Sequence, residues 1–146
     1  LPFDDIEELA EKGIVKFACY SRRSLLESQQ IIRELMHETP GIEAVTSGYN
    51  WTDIYHKDGG KGHAVRTLQE KYDILPSETI AFGDSLNDAS MMKESGYRVS
   101  MSNADLALKA YTNYEIGSNE EQAVIQVLEE FIKTGSMDFM EKYRTK

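Results

Sequence analysis

Six consecutive residues, Gly83-Asp84-Ser85-Leu86-Asn87-Asp88, place two carboxylates four positions apart with an amide between them. They follow Thr79-Ile80-Ala81-Phe82, an apolar run that reads as a buried strand, and precede a helical stretch that starts near Ala89. Asp84 and Asp88 therefore stand where a strand ends and a helix begins. In open α/β sheets, ligands bind in the crevice outside the carboxyl ends of the strands. Asp and Asn oxygens there suit a hard cation such as Mg²⁺, usually held by one or two carboxylates plus substrate phosphate. Upstream, Lys61 is flanked by glycines in Asp58-Gly59-Gly60-Lys61-Gly62-His63, just before another helix. A lysine beside a metal–carboxylate site neutralises charge on a bound phosphoryl group.

Each of these residues also has a plainer reading. Asp, Ser and Asn are favoured at turns and helix N-caps, so Asp84 and Asp88 could simply shape the loop. Lys61 could be a solvated side chain, although a cation at a helix start opposes the helix dipole unless an anion meets it. A P-loop does not fit: the motif needs Gly-x-x-x-x-Gly-Lys-Ser/Thr, whereas Tyr55 stands where the first glycine belongs and Gly62 follows Lys61. His37, His56 and His63 are scattered, with no His-Glu-x-x-His or Cys/His cluster, so zinc is not expected. Tyr49, Trp51 and Tyr55 read as packing residues, Arg22-Arg23 as a solvated face, and Asn103 as the end of a strand that positions the next loop.

The elements that must position the site follow from periodicity. Ile14–Tyr20 is rich in β-branched and aromatic residues and reads as a strand. Ser24 can cap a helix carrying Leu25, Ile32, Leu35 and Met36, which Pro40-Gly41 ends. Ile42–Ser47 and Trp51–His56 read as a hairpin joined at Gly48-Tyr49-Asn50. After Gly59-Gly60 the character changes. A helix with Ala64, Val65, Leu68 and Tyr72 at helical spacing leads to the strand before the carboxylates. A short helix (about 86–95), a strand (Tyr97–Met101), a short helix (about 104–111) and a strand (Tyr114–Ile116) follow. A last helix, about 119–133, carries the stripe Ala123, Val124, Val127, Leu128, Phe131 and Ile132. Strands alternating with helices predict a parallel sheet.

Composition narrows the classes. With 146 residues, 40% hydrophobic and 28% charged, the chain is the size of one ordinary domain and has enough apolar side chains for a core. A net charge of −9 argues against nucleic acid or an anionic membrane as partner. A small anionic substrate stays open, because local Mg²⁺ and lysine can outweigh the global charge. No apolar stretch approaches the roughly 20 residues that span a bilayer. The acidic start, Leu1-Pro2-Phe3-Asp4-Asp5, does not read as a signal peptide. The single cysteine, Cys19, fits a cytoplasmic compartment and is expected to be a buried structural thiol.

Taken together, Lys61 between glycines, Gly83-Asp84-Ser85-Leu86-Asn87-Asp88, and Val99-Ser100-Met101-Ser102-Asn103-Ala104 resemble the C-terminal half of a haloacid dehalogenase-superfamily phosphatase. The Cof-type group, with its large α/β cap, is the best match, and the resemblance covers most of 14–132. It implies an α/β fold: the second half of a Rossmann-like core with parallel strands, plus part of an α+β cap with antiparallel strands. The implied organisation is a partial substrate-specificity cap at 1–57, the core half at 58–134 and a polar tail at 135–146 that is open to fraying. Asp84 would be a direct Mg²⁺ ligand. Asp88 would hold the metal through water or orient its neighbours. Lys61 would bind the substrate phosphate and stabilise the transferring group, and Asn87 would hydrogen-bond the phosphate or the lysine.

The sequence departs from the family's pattern at two places, a large departure and a smaller local one. Family members attack phosphorus with an aspartate from an Asp-x-Asp-Gly-Thr/Ser motif, and this sequence contains no Asp-x-Asp. An aspartyl-phosphate needs that nucleophile. The chain therefore reads as a C-terminal fragment, inactive alone, of a phosphatase acting on small phosphorylated metabolites such as sugar phosphates. A phosphomutase of the same superfamily and a non-catalytic Mg²⁺/phosphate-binding module are the alternatives. Strand edges left open would call for a complementary N-terminal chain or self-association. The second departure is Gln122 in Glu120-Glu121-Gln122-Ala123-Val124, where the family usually has glycine, which puts the local loop geometry in question.

Overall fold

The computed structural model describes residues 13–47 and 50–145 and divides the chain into two compact units, Leu1–Gly59 and Gly60–Lys146. The acidic start and the Gly48-Tyr49 hairpin tip lie outside the described residues.

The first unit holds a three-stranded antiparallel sheet. Strand β1 (Lys16–Tyr20) and β2 (Ile42–Ser47) flank β3 (Trp51–His56), with Ser47 opposite Trp51 across the expected hairpin. Helix α1 (Leu25–Glu38) starts where Ser24 was expected to cap it. The Glu27 N–H donates to the Ser24 hydroxyl at 3.3 Å, and the Ser24 N–H donates to the Glu27 carboxylate at 3.0 Å. This reciprocal box satisfies two N–H groups that a helix start leaves without partners. Ala44 and Thr52 are buried. Cys19 is exposed, which corrects the expectation of a buried thiol. It sits on β1, an edge strand whose five residues are all exposed, so the apolar run around it does not enclose it. Trp51 is half-exposed and meets Tyr20 edge-on, with ring centroids 5.3 Å apart.

The second unit is built on a parallel sheet in the order β4 (Ile80–Gly83), β5 (Tyr97–Met101), β6 (Tyr114–Ile116). Both faces are covered. Val99, Met101, Tyr114 and Ile116 pack against Ala123 and Val127 of α5 (Ala123–Thr134) and against Met140. Ala81 on the other face packs with Ala89 and Met92 of α3 (Ala89–Lys93) and Leu108 of α4 (Leu106–Lys109). Such double cover is what buries parallel strands. Among the described residues, β4 pairs only with β5, so its outer edge carries no strand.

Two helices pack otherwise than their apolar residues suggest. In α2 (Gly60–Tyr72) the buried residues are Gly62 and Gln69, while Leu68 and Tyr72 are more than half exposed. The small and hydrogen-bonding face packs inward, because α3 approaches too closely to admit large side chains. In α5, Ala123 and Val127 are buried but Ile132 is 79% exposed and Phe131 43%. The polar segment after Gly135, expected to be open to fraying, instead forms a 3₁₀ turn over Asp138–Tyr143 and buries Met140 completely. Arg144 bridges to Tyr114 on β6 and donates to Glu141 at 2.6 Å.

Candidate active site

Asp84 and Asp88 meet at the carboxyl end of β4 in different environments. Asp88 is buried and Asp84 is exposed. The chain leaves β4 at Gly83, turns through Leu86–Asp88, and enters α3. The Asp84 N–H donates to Asp88 Oδ2 at 3.0 Å, and the Ser85 N–H donates to the same oxygen at 3.3 Å. Asp88 Oδ1 accepts the Lys61 ammonium, delivered from the first turn of α2. Both carboxylate oxygens of Asp88 are thus engaged within the protein. The Asp84 side chain has no hydrogen bond or ion pair among the described residues. The Asp84 backbone carbonyl accepts the Asp105 N–H at 2.8 Å, which ties the loop to the start of α4.

Glycine is required at two points of this frame. A Cβ on Gly83 would lie 2.7 Å from Asp88 Cβ and Oδ2 and 2.8 Å from Met92 Cε. One on Gly62 would lie 2.7 Å from the Ser90 carbonyl oxygen. Real Cβ atoms do not approach so closely, so a side chain at either position would displace the carboxylate or the helix.

Lys61, Asp84 and Asp88 line one cavity of about 550 Å³. The structure thus brings together three of the four residues singled out from the sequence. The fourth, Asn87, does not line the cavity, and among the described residues no hydrogen bond joins it to Lys61. Asn119 and Gln122 also line the cavity and were not read as site residues. The available signal was the departure at Gln122. That residue adopts φ 56°, ψ 34°, the left-handed conformation that glycine favours, so a strained residue stands in the loop. Ser118 and Glu121 hold the loop: the Ser118 N–H and hydroxyl donate to the Glu121 carboxylate at 2.7 and 2.8 Å. Those hydrogen bonds keep the Glu121 carboxyl below the usual glutamate range. Asn103 Oδ1 accepts the Asn119 N–H at 3.4 Å, a contact with the loop after β6 rather than with the loop that follows its own strand.

The donor set bears on which metal the cavity could take. Among the described residues no three His, Cys, Asp or Glu side chains converge to hold an ion. One unengaged carboxylate, Asp84, faces the cavity beside a lysine. Hard oxygen donors in such small number fit Mg²⁺, which keeps several waters and takes further ligands from substrate phosphate. They do not fit a closed all-protein cage.

A parallel sheet covered on both faces, with an Asp-rich loop at the carboxyl end of β4 and a lysine brought to it from a helix start, defines an α/β core with a candidate site at the strand ends. The family profile for haloacid dehalogenase-like hydrolases matches residues 2–128, and the chain belongs to that family. It is 29% identical over 133 residues to the 5-amino-6-(5-phospho-D-ribitylamino)uracil phosphatase YbjI of Escherichia coli, covering 90% of this chain and 46% of that protein. It is 31% identical over 131 residues to the pyridoxal phosphate phosphatase YbhA of the same organism, covering 86% of this chain and 47% of the relative. Among solved structures, SMU.1108c of Streptococcus mutans superposes with a TM-score of 0.76 at 29% identity, over 82% of this chain and 45% of that one. The chain spans less than half the length of these relatives.

Proposed function

We propose that this chain carries the metal- and phosphate-binding half of a Mg²⁺-dependent phosphomonoesterase acting on small phosphorylated metabolites. The observation that supports it best is the division of labour at the end of β4: Asp88 is spent on the loop and on Lys61, while the Asp84 side chain, at the cavity, has no partner among the described residues. Asp84 would hold the Mg²⁺, with Asp88 acting behind it rather than as a direct ligand. The bound ion would neutralise charge on the phosphoryl oxygens. Lys61, fixed by Asp88 yet half-exposed, would meet the same phosphate from the α2 side.

On this reading the nucleophile is not among these 146 residues, a reading supported by the lack of an Asp-x-Asp in the sequence. In this reading it comes from polypeptide outside the chain, and the chain alone does not turn over. Two features support a covering polypeptide. The outer edge of β4 is unpaired among the described residues, and the apolar side chains Ile125, Leu128 and Phe131 of α5 are substantially exposed. An open edge beside exposed apolar surface invites a further strand. The antiparallel unit Leu1–Gly59 would serve as part of a substrate-selecting cap. The two E. coli relatives, alike in similarity to this chain, are named for chemically different phosphate esters, so the proposed substrate class stays at small phosphorylated metabolites. The lone cysteine and the acidic charge suit a cytoplasmic enzyme without nucleic-acid partners.

The test is turnover of p-nitrophenyl phosphate with Mg²⁺. The expected result is no turnover by the 146-residue chain, and turnover by a polypeptide extended at its N-terminus to include an Asp-x-Asp segment, abolished by Asp84→Asn. An extended protein that stays inactive across a panel of phosphate esters would favour a non-catalytic Mg²⁺/phosphate-binding module. Transfer of phosphate between positions of one sugar, without release, would favour a mutase.

A further inference from the structure

Lys61 must reach Asp88 from a different helix, and one contact sets the approach. It is the second residue of α2, whose first turn presents N–H groups with no partner inside the helix. Gly59 and Gly60 have no side chain with which to cap them. The Gly62 N–H donates instead to the Ser90 hydroxyl of α3, at 3.2 Å. The backbones could come no closer with a larger residue, because a Cβ on Gly62 would lie 3.1 Å from Ser90 Cβ and 2.9 Å from its carbonyl carbon. The seam continues one turn on. Arg66 donates to Glu94 at 2.6 Å through Nη2 and 3.4 Å through Nε, and Gln69 Nε2 donates to the Glu94 carbonyl at 2.8 Å. From 62 to 66 on one helix and from 90 to 94 on the other, the contacts advance together. Gly62–Ser90 is the end rung, adjacent to Lys61 on one side and two residues from Asp88 on the other.

We infer that Ser90 is a positioning residue for Lys61: its hydroxyl caps α2 from the neighbouring helix and so seats the ammonium on Asp88. The purpose of that ammonium rests on the phosphatase reading, whereas its seating is a property of the fold. Without the hydroxyl, the part-buried Gly62 N–H loses its acceptor and the first turn, which carries Lys61, is released. Arg66 and Glu94 hold the helices one turn further along and leave that first turn alone.

The experiment is nuclear magnetic resonance on the 146-residue chain and three variants, Ser90→Ala, Ser90→Thr and Arg66→Ala. In Ser90→Ala, exchange of the Gly62 amide rises roughly tenfold relative to the rest of α2, the equivalent of one lost hydrogen bond. Overhauser contacts between the Lys61 ε-methylene and the Asp88 β-methylene disappear. Ser90→Thr, which keeps the hydroxyl, retains both features. Arg66→Ala lowers the denaturant midpoint and also retains both. Wild-type exchange and contacts in Ser90→Ala overturn the proposal. Loss of both in Arg66→Ala also overturns it, since any loosening of the seam would then release Lys61. Should Ser90→Ala fail to fold, Ser90→Cys, with a weak sulfur acceptor of similar size, carries the same two readouts. None of them needs phosphate or metal, so a failure here is distinct from a failure of the phosphatase reading.

Discussion

Asp88 turns its carboxylate back onto Asp84, accepting that residue's N–H at 3.0 Å while its other oxygen takes the Lys61 ammonium. Two aspartates of one motif are thereby separated into different tasks. The inner one builds the loop and fixes the lysine. The outer one makes no side-chain hydrogen bond or ion pair among the described residues.

This division predicts opposite signatures for substitutions at the two positions. Asp88→Ala removes a buried carboxylate from a half-exposed lysine and leaves two N–H groups without an acceptor, which is expected to cost about 2–4 kcal/mol. Asp84→Asn removes a charge from an exposed side chain, and stability is expected to move by no more than about 0.5 kcal/mol. Urea denaturation of the two variants, read by circular dichroism, checks the contrast.

Gly83→Ala should behave like damage to Asp88 rather than like a mild change of backbone freedom at the end of β4. The new Cβ would press on Asp88 Oδ2 and on Met92 Cε. Relief requires moving a carboxylate that three donors hold, and overpacking of this kind typically costs about 1–3 kcal/mol. The denaturant midpoint should fall accordingly, and Asp84 and Ser85 amide exchange should accelerate with it.

Gln122 offers a test of strain at the cavity rim. Its left-handed backbone is costly for any residue with a Cβ, so Gln122→Gly should be more stable than Gln122→Ala by about 1 kcal/mol. Thermal unfolding of the pair measures the difference directly. Equal stability would mean that the loop relaxes to an ordinary conformation when the side chain is shortened.

The same loop should respond to acid in a defined direction. Hydrogen bonds from Ser118 hold the Glu121 carboxyl below the usual glutamate range, so the folded value lies under the unfolded one. The contribution of Glu121 is therefore complete above the ordinary glutamate range and lost as pH falls through the lowered folded value. Amide exchange at Ser118 should rise in that acid window, and Glu121→Gln should remove the pH dependence there.

The sequence makes much of this arrangement legible, because its cues are local. The apolar run Thr79–Phe82, the Ser24 cap with Glu27 three residues on, and the hairpin strands around Tyr49 each depend on neighbours in the chain. What stayed hidden depends on distant partners. Leu68 and Tyr72 look like the buried face of α2, yet the close approach of α3 turns Gly62 and Gln69 inward instead. Cys19 looks buried because its neighbours are apolar, but strand order puts it on an edge. Met140 sits in a polar stretch, and only the sheet face it caps explains its burial. At the site, the resemblance already set a direct ligand at Asp84 apart from a supporting role at Asp88, and what the sequence left hidden is the long-range part, the Lys61 ammonium that Asp88 accepts from another helix.

The most direct test of the account is a calorimetric titration of Mg²⁺ into the 146-residue chain with inorganic phosphate present, repeated for Asp84→Asn. The account predicts measurable binding by the native chain and a loss of at least about tenfold in affinity, roughly 1.4 kcal/mol, for the variant. Binding of equal strength in both would place the metal elsewhere and contradict the assignment of Asp84.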